Sequence, residues 1–198
     1  MIHLIITTAN IPKAYWRRKW QYIRSIKSCL KYGNLFDTYT ILECVTENKR
    51  YLNKYNTYYS KEGNPYPNKG LNEMAHLKAF LRQSTFKKND AIIKLTGRYI
   101  IDESYFFNKV IEMQNDYDSI FKDDSDVYEG RGYHTFFYYI KKGLLEEAID
   151  QIDFSVNNDR PIEWDMKDYL KCRKNHLVID RLGITAYQGT KSEKIFKC

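Results

Sequence analysis

Residues 1–33 read MIHLIITTANIPKAYWRRKWQYIRSIKSCLKYG, and this stretch decides the fold class. A short apolar run, Ile2–Ile6, meets a turn-like cluster at Thr7–Asn10, which is typical of a buried parallel strand. Pro12 stands where the first residue of a helix is expected, and Gly33 stands where that helix ends. The stretch therefore predicts a strand, a tight turn and a helix, which together form one βα unit.

The predicted first helix carries an apolar face and a basic face. Its large apolar side chains recur at helical spacings, at Trp16, Trp20, Ile23 and Leu30. Its positive side chains are Lys13, Arg17, Arg18, Lys19, Arg24, Lys27 and Lys31. We expect the apolar side chains to be buried. The basic ones would lie in solvent or contact an anionic membrane or a lipid-linked acceptor.

Strands and helices alternate along the rest of the chain, which has no internal repeat and no low-complexity linker. Strand patterns lie at residues 38–45, 90–99, 119–121, 135–140, 177–179 and 184–187. Helix patterns lie at 71–84, 103–113, 143–152 and 161–172, and the polar stretch 49–69 predicts a short helix followed by a loop. The alternation predicts a single α/β domain over residues 1–198. Its sheet would be Rossmann-like, mixed but mostly parallel, and flanked by helices.

Composition narrows the class of protein. Of 198 residues, 43% are apolar and 16% aromatic, which is enough to build a core and excludes a disordered chain. No apolar run approaches the roughly 18 residues of a membrane span. The four cysteines are scattered without metal-ligand spacing, so we expect reduced thiols and a cytoplasmic protein. The formal charge of +7 would attract a phosphate-bearing partner, or it reflects a lysine-rich composition alone.

Ligands of open α/β sheets bind beyond the carboxyl ends of the strands. This rule selects polar residues after three predicted strands: Thr7, Thr8 and Asn10; Glu43; and Thr96, Gly97, Arg98 and Tyr99. Lys94 shares a strand face with Thr96 and Arg98 by alternation. A guanidinium beside a glycine suits a diphosphate, which the backbone would approach closely. The alternative is that Lys94 and Arg98 pair with a local carboxylate for structural reasons.

The segment Asn68-Lys69-Gly70-Leu71-Asn72-Glu73 opens the helix predicted from Leu71. Free N–H groups at a helix start, together with Lys69, would hold a phosphate or a nucleobase. Ordinary helix capping explains the same pattern. Lys69, Gly70 and Asn72 are therefore candidate ligand-binding residues.

The order of these motifs resembles small glycosyltransferases of the GT-A fold, which occur in bacterial polysaccharide clusters and large DNA viruses. The segment 68–73 is followed by Ile92-Ile93-Lys94-Leu95-Thr96-Gly97-Arg98-Tyr99, and segments 135–142, 162–163 and 183–190 come in matching order. The resemblance covers most of the chain. It implies a GT-A-like domain with a donor-binding half over about residues 1–115 and an acceptor half over about residues 116–198.

The resemblance also implies a reaction and the roles of several residues. A sugar would move from a UDP- or GDP-linked nucleotide-sugar donor to a hydroxyl of a glycan, a glycoprotein or a lipid-linked saccharide. Thr7 and Thr8 would seat the base and ribose, with Glu43 beside them as a hydrogen-bond acceptor. Residues of the segment 68–73, namely Lys69, Gly70 and Asn72, would close over the donor.

The metal motif of the family is changed in this sequence. Thr96-Gly97-Arg98 stands where many GT-A enzymes carry Asp-x-Asp, and an arginine there would neutralise the leaving diphosphate instead of Mn²⁺. A literal Asp-x-Asp occurs at Asp124-Ser125-Asp126, and carboxylates of this kind suit Mn²⁺ or Mg²⁺. The alternative is that this acidic run is a solvated loop.

An inverting transfer needs a base that takes the acceptor proton. Glu163 and Asp165, just after Pro161, match the acidic position of the family where that base lies. Residues two apart on a helix point roughly 200° away from each other, so one acid faces the cleft, and we predict Glu163. The alternative is that both acids only complement the helix dipole.

Two other functions fit parts of the sequence. Lysine and arginine interleaved with tyrosine in residues 49–69 and on the first helix would suit a nucleic-acid-binding module, but the chain lacks any named signature of one. Nucleic acid is therefore an unlikely partner. A nucleotidyltransferase or another nucleotide-binding α/β enzyme would share the donor residues and differ in its acceptor.

Overall fold

The computed structural model describes residues 1–45, 50–125, 130–187 and 195–197. Its strands are β1 (Ile2–Thr8), β2 (Thr38–Glu43), β3 (Thr57–Tyr59), β4 (Ala91–Thr96), β5 (Ile100–Ile101), β6 (Ser119–Lys122), β7 (Phe137–Lys141), β8 (His176–Ile179), β9 (Ile184–Tyr187) and β10 (Ile195–Lys197). Its α-helices are α1 (Tyr15–Leu30), α2 (Lys69–Gln83), α3 (Tyr105–Met113), α4 (Lys142–Asp150) and α5 (Ile162–Leu170).

A seven-stranded sheet runs through the molecule in the order β3-β2-β1-β4-β7-β6-β8. Neighbouring strands are parallel except on both sides of β7, which runs against β4 and β6. A second, three-stranded sheet joins β10, β9 and β5. The predicted α/β fold with a mixed, mostly parallel sheet flanked by helices is confirmed.

Side-chain alternation on the central strands divides the core between the two faces of the sheet. Leu4 and Ile6 of β1 pack in a cluster with Tyr22 and Ile26 of α1, which also includes side chains of α3. Ile5 points to the other face, where a second cluster holds side chains from α2, α4 and α5. Both faces of β1 are thus covered by helices, which explains why all seven of its residues are buried.

The predicted orientation of the first helix is wrong. Trp16 and Trp20 are 69% and 62% exposed. The buried face of α1 instead consists of Arg18, Tyr22, Ser25, Ile26, Ser28 and Cys29. Positions 22, 26 and 29 also follow a helical spacing. The small side chains of Ser25 and Ser28 lie on the same buried face, whereas the bulky indole rings of Trp16 and Trp20 are exposed.

The polar stretch 49–69 differs from the predicted short helix and loop, since residues 50–54 form turns and the stretch contains β3. This strand adds to the sheet edge through Ile41–Glu43, which pair with Thr57–Tyr59. All three of its residues are only partly buried. A strand this short, without an alternating apolar pattern, carries little signal in the sequence. No helix in the described part of the chain is both long and apolar enough to cross a membrane.

Candidate functional site

Three parallel strands bring their carboxyl ends together at one edge of the sheet. β1 lies between β2 and β4, and its register places Thr8 beside Glu43 and Thr7 beside Thr96. The chain leaves β1 toward β2 but later returns to β4 on the opposite side of β1. Such a reversal of strand order opens a crevice at the carboxyl ends.

A cavity of about 310 Å³ lies at this edge, a volume that suits a small-molecule ligand. The predicted site residues that line it are Thr7, Thr8, Lys69, Asn72, Thr96 and Arg98. The lining also includes Arg18, Tyr22 and Glu73, which the sequence analysis did not assign to the site. Half of the predicted donor-binding residues therefore line one cavity.

An ion pair between Glu73 and Lys94 forms the floor of the site. The fully buried Lys94 Nζ lies 2.8 Å from Glu73 Oε1 and donates hydrogen bonds to Thr96 Oγ1 and the Thr135 carbonyl, each at 2.8 Å. Thr7 Oγ1 and Thr96 Oγ1 also donate to Glu73 Oε1. Lys94 thus pairs with a local carboxylate, which was the alternative to ligand binding given in the sequence analysis. It does not line the cavity.

Glu73 is held as a carboxylate by this pair. Burial raises the pKa of Glu73, but the Lys94 ammonium and the hydroxyl of Thr7 outweigh burial, and its pKa lies below the ordinary value. A signal for Glu73 was present in the sequence. Glu73 precedes Met74 on α2 and stands four residues before Leu77, so it is an acidic residue beside the apolar face of this helix. The helix covers β4, which contains a single lysine, Lys94.

Glu43 and Asn10 stabilise the loop after β1 and do not line the cavity. Glu43 is fully buried, and its carboxylate accepts hydrogen bonds from Thr8 Oγ1 at 2.6 Å, from the backbone N–H of Asn10 at 3.0 Å and from that of Val45 at 3.1 Å. The amide of Asn10 also donates to Glu43 and accepts from the Tyr51 hydroxyl. In this arrangement Glu43 positions Thr8 instead of meeting a base or ribose directly.

Gly97 and Tyr99 serve packing at the end of β4. A Cβ at Gly97 would lie 3.0 Å from the Thr7 carbonyl oxygen and 3.0 Å from Thr8 Cγ2, so the close approach of β1 already favours glycine at this position. Tyr99 is buried in the core and stacks on Phe136 with ring centroids 4.5 Å apart. Of the residues at this strand end, Thr96 and Arg98 line the cavity, whereas Gly97 and Tyr99 are not part of its lining.

The start of α2 is a capped helix end that also borders the cavity. The Asn68 side chain accepts from the Gly70 N–H at 2.9 Å, and the Asn72 side chain bonds both backbone groups of Tyr66. A Cβ at Gly70 would come within about 3.0 Å of Ile162, so this glycine lets α2 approach α5. Only Lys69, on the rim, presents an exposed positive charge here.

Glu163 and Asp165 face different surroundings, as their angular separation predicts. Glu163 Oε1 accepts from Thr135 Oγ1 at 2.9 Å, and the carbonyl of Thr135 accepts from Lys94, so Glu163 is linked to the floor of the site. Asp165 forms an ion pair with Arg160. Burial raises the pKa of Asp165 although Arg160 opposes this. Neither acid lines the cavity itself, and Glu163 is the one joined to it.

Of the predicted metal motif, Asp124 lies within the described residues. Asp124 is fully buried, with Oδ1 accepting from the Gly132 N–H at 2.9 Å and Oδ2 lacking a hydrogen-bond partner. Asp126, its expected partner, lies outside the described residues. Within the part of the chain that the structure describes, no three Asp, Glu, His or Cys side chains come together as ligands. The solvated loop proposed as the alternative does not describe Asp124 either, since it is buried.

Comparison with solved structures identifies the fold. A protein described as a glucose-1-phosphate thymidylyltransferase from Bacillus anthracis has a TM-score of 0.61 at 13% identity, covering 93% of this chain and 89% of its own. The chain has the fold of nucleotide-diphospho-sugar transferases. A protein described as such a transferase from Desulfovibrio desulfuricans G20 gives 0.55 at 11% identity, over 90% of this chain and 79% of its own.

A third neighbour is the 4-diphosphocytidyl-2C-methyl-D-erythritol synthase of Anaerococcus prevotii, with a TM-score of 0.56 at 12% identity, covering 91% of this chain and 86% of that chain. No family model and no curated protein sequence matches the chain. At such low identities the likeness establishes the fold, and the reaction has to be argued from the site.

Replacing Glu73 tests the floor of the site. We expect Glu73→Gln to lower the free energy of unfolding by about 3 kcal/mol at pH 7, because it leaves the buried Lys94 ammonium without a countercharge. Glu73→Leu combined with Lys94→Met should recover most of that loss. Urea unfolding measures both changes. The control is Glu112→Gln, which alters an exposed side chain of α3, and we expect it to change the free energy of unfolding by less than about 1 kcal/mol.

The same pair predicts a pH dependence. Because the pKa of Glu73 is lowered on folding, its contribution to stability is complete above the ordinary pKa of 4.5 and disappears as the pH falls through the lowered value. The difference in stability between the wild type and Glu73→Gln should therefore shrink in acid. A cost no larger than that of Glu112→Gln at pH 7 would show that the pair does not support the fold.

Proposed function

We propose that the protein is a glycosyltransferase that moves a sugar from a nucleotide-sugar donor to an acceptor hydroxyl. The observation that carries this proposal is the cavity at the carboxyl ends of β1 and β4, which Arg98 lines without an ion pair to any described carboxylate, although its charge contributes to lowering the pKa of Glu73. A guanidinium in this position suits a diphosphate. The fold supports the proposal, since the neighbours described above are transferases of nucleotide-linked sugars or of nucleotides.

The donor would lie across the end of β1. Its diphosphate would meet Arg98 and Lys69, and its base and ribose would rest against Thr7 and Thr8, whose hydroxyl orientations are set by Glu73 and Glu43. This arrangement accepts either a UDP- or a GDP-linked sugar. The other half of the chain, with Glu163, would receive the acceptor, which is a glycan, a glycoprotein or a lipid-linked saccharide.

The proposed step is a displacement at the anomeric carbon of the donor sugar. The acceptor oxygen forms a bond to this carbon while the bond from the carbon to the diphosphate oxygen breaks. The acceptor proton passes to the Glu163 carboxylate, and the electron pair of the broken bond leaves with the nucleoside diphosphate. Arg98 stabilises the negative charge that develops on this leaving group. No part of the step is assigned to a metal ion.

Thermal-shift measurements with nucleotide sugars, in the presence of Mn²⁺ and in the presence of EDTA, test the proposal. A nucleotide sugar at a concentration of about 100 times its Kd should stabilise the folded protein by about 2.7 kcal/mol and raise its melting temperature. Short oligonucleotides serve as the control for the alternative of a nucleic-acid-binding module. The proposal fails if oligonucleotides stabilise the protein and no nucleotide sugar does.

Nucleotidyl transfer is the second candidate. It is favoured by two of the neighbours, the protein described as a thymidylyltransferase and the 4-diphosphocytidyl-2C-methyl-D-erythritol synthase. It would use the same cavity but bind a nucleoside triphosphate and a sugar phosphate. Stabilisation by a nucleoside triphosphate together with release of pyrophosphate would favour it. Release of a nucleoside diphosphate from a nucleotide sugar would favour glycosyl transfer.

Glu163→Gln tests the proposed base. We expect unchanged affinity for the donor and a turnover lower by a factor of about 10² to 10⁴, because the acceptor proton then has no carboxylate to receive it. Asp165→Asn, two residues away and paired with Arg160, is the matched control and should change turnover little. Slow hydrolysis of the donor serves as the assay before an acceptor is known. Full turnover of Glu163→Gln with a genuine acceptor would mean another base or a retaining mechanism.

A peripheral membrane contact in the cytoplasm is part of the proposal. The exposed rings of Trp16 and Trp20 lie on α1 together with the exposed Arg17 and Arg24. Lys13, just before the helix, is also exposed. Indole rings and basic side chains together suit an anionic bilayer surface. A lipid-linked acceptor would be reached from such a position.

Vesicle sedimentation at low salt tests the contact. We expect the protein to sediment with anionic vesicles and not with neutral ones, and the double variant Trp16→Ala/Trp20→Ala to lose this binding. Ile111→Ala, which removes an exposed apolar side chain from α3, is the control. Equal recovery of the wild type with neutral and anionic vesicles would rule the contact out.

A further inference from the structure

Arg18 is a charged side chain inside the fold. The sequence analysis placed it only on the basic face of the first helix, and the proposed reaction gives it no role. It lies on the buried face of α1, is 5% exposed and lines the cavity at the end of β1. Its Nε has no hydrogen-bond partner among the described residues. A buried N–H donor of a charged group that lacks a partner is costly and calls for an explanation.

The groups around Arg18 increase this cost. Arg98 lines the same cavity, and burial together with the positive charge of Arg98 lowers the pKa of Arg18. Arg17 adds a further positive charge in the sequence next to it. Tyr22 and Tyr99 oppose this lowering of the Arg18 pKa but do not reverse it, and the Tyr22 hydroxyl is engaged with both backbone groups of Ala9. Two like charges therefore face one small space.

The carboxylates of the site are engaged elsewhere. Glu73 pairs with Lys94 and accepts from Thr7. Glu43 accepts from Thr8 and from Asn10. No described carboxylate lies within ion-pair distance of Arg18 or Arg98, although the charge of Arg98 contributes to lowering the pKa of Glu73. The positive charge of the cavity is thus left for a ligand to neutralise.

We propose that Arg18 and Arg98 together form a diphosphate-binding subsite in which Arg18 provides the second guanidinium. This assignment rests on the proposed nucleotide-sugar site and adds a residue from α1 to it. Each guanidinium fork can hold the oxygens of one phosphoryl group. A diphosphate offers two such groups, so both forks are used, whereas a single phosphate would leave one guanidinium without a partner. Two fixed arginines also supply the positive charge that a divalent cation would otherwise bring.

The position of Arg18 is well supported by its neighbours. One turn further along α1, the Tyr22 hydroxyl accepts from the Ala9 N–H at 3.0 Å and donates to the Ala9 carbonyl at 2.9 Å. These two hydrogen bonds join α1 to the loop that borders the cavity. Arg18 is therefore held against the cavity before any ligand binds, so little ordering is needed on binding.

Calorimetric titration with inorganic pyrophosphate in EDTA tests the subsite. We expect the wild type to bind pyrophosphate more tightly than inorganic phosphate, and Arg18→Met to weaken pyrophosphate binding by a factor of about 10 to 100. The loss for inorganic phosphate should be much smaller. Arg82→Met, which removes the same charge from the exposed face of α2, is the matched control and should bind pyrophosphate like the wild type.

Thermal unfolding without ligand separates this role from a structural one. Methionine fills similar space and removes an uncompensated buried charge, so Arg18→Met should melt at the same temperature as the wild type or higher. Its melting temperature should then respond only weakly to added pyrophosphate. A lower melting temperature with unchanged pyrophosphate affinity would make Arg18 a structural residue and overturn the proposal.

Two further outcomes also overturn it: equal pyrophosphate affinity of Arg18→Met and the wild type, and pyrophosphate binding that requires Mn²⁺. The subsite and the proposed function can fail separately. If pyrophosphate binds through Arg18 while no nucleotide sugar stabilises the protein, the subsite stands and the glycosyltransferase proposal falls. If nucleotide sugars bind equally well to the wild type and to Arg18→Met, the glycosyltransferase proposal stands and the subsite proposal falls.

Discussion

The ion pair between Glu73 and Lys94 is the interaction on which the site depends. Lys94 is fully buried in the central strand β4, where an unpaired ammonium would be very unfavourable. Its partner comes from α2, and its remaining hydrogen bonds go to Thr96 and to the chain just before β7. Since Thr7 of β1 also donates to Glu73, one buried charge joins β1, β4, α2 and the approach to β7 at the edge where the cavity opens.

This arrangement separates the charges of the site into two groups. The carboxylates of Glu73 and Glu43 lie beneath the cavity and are used to hold Lys94, Thr8 and the loop after β1. The guanidinium groups of Arg18 and Arg98 line the cavity without such partners. The fold therefore stabilises its own buried cation and leaves a positively charged space for an anion. An uncompensated charge that lowers stability but serves binding is a frequent feature of functional sites.

The sequence predicted the sheet, and half of the residues that it proposed for donor binding line the cavity. Thr7, Thr8, Thr96 and Arg98 meet at the cavity because strand ends in a parallel sheet always share one edge. Tyr99 and Gly97 follow the same strand, but they are used in packing against Phe136 and against β1. The helix α1 was placed with the wrong face inward, since Trp16 and Tyr22 both begin patterns of helical period.

By itself the sequence determined the class of the fold, because the alternation of apolar strands with amphipathic helices depends on local periodicity and on turn residues that neighbours along the chain already specify. Only the tertiary structure decided which charged groups meet. Glu73 and Lys94 lie on different elements, and so do Arg18 and Arg98, and how strongly each pair attracts or repels depends on distances through space. Because Glu73 pairs with Lys94, Arg18 and Arg98 remain available to bind a ligand. No local sequence pattern contains this distinction.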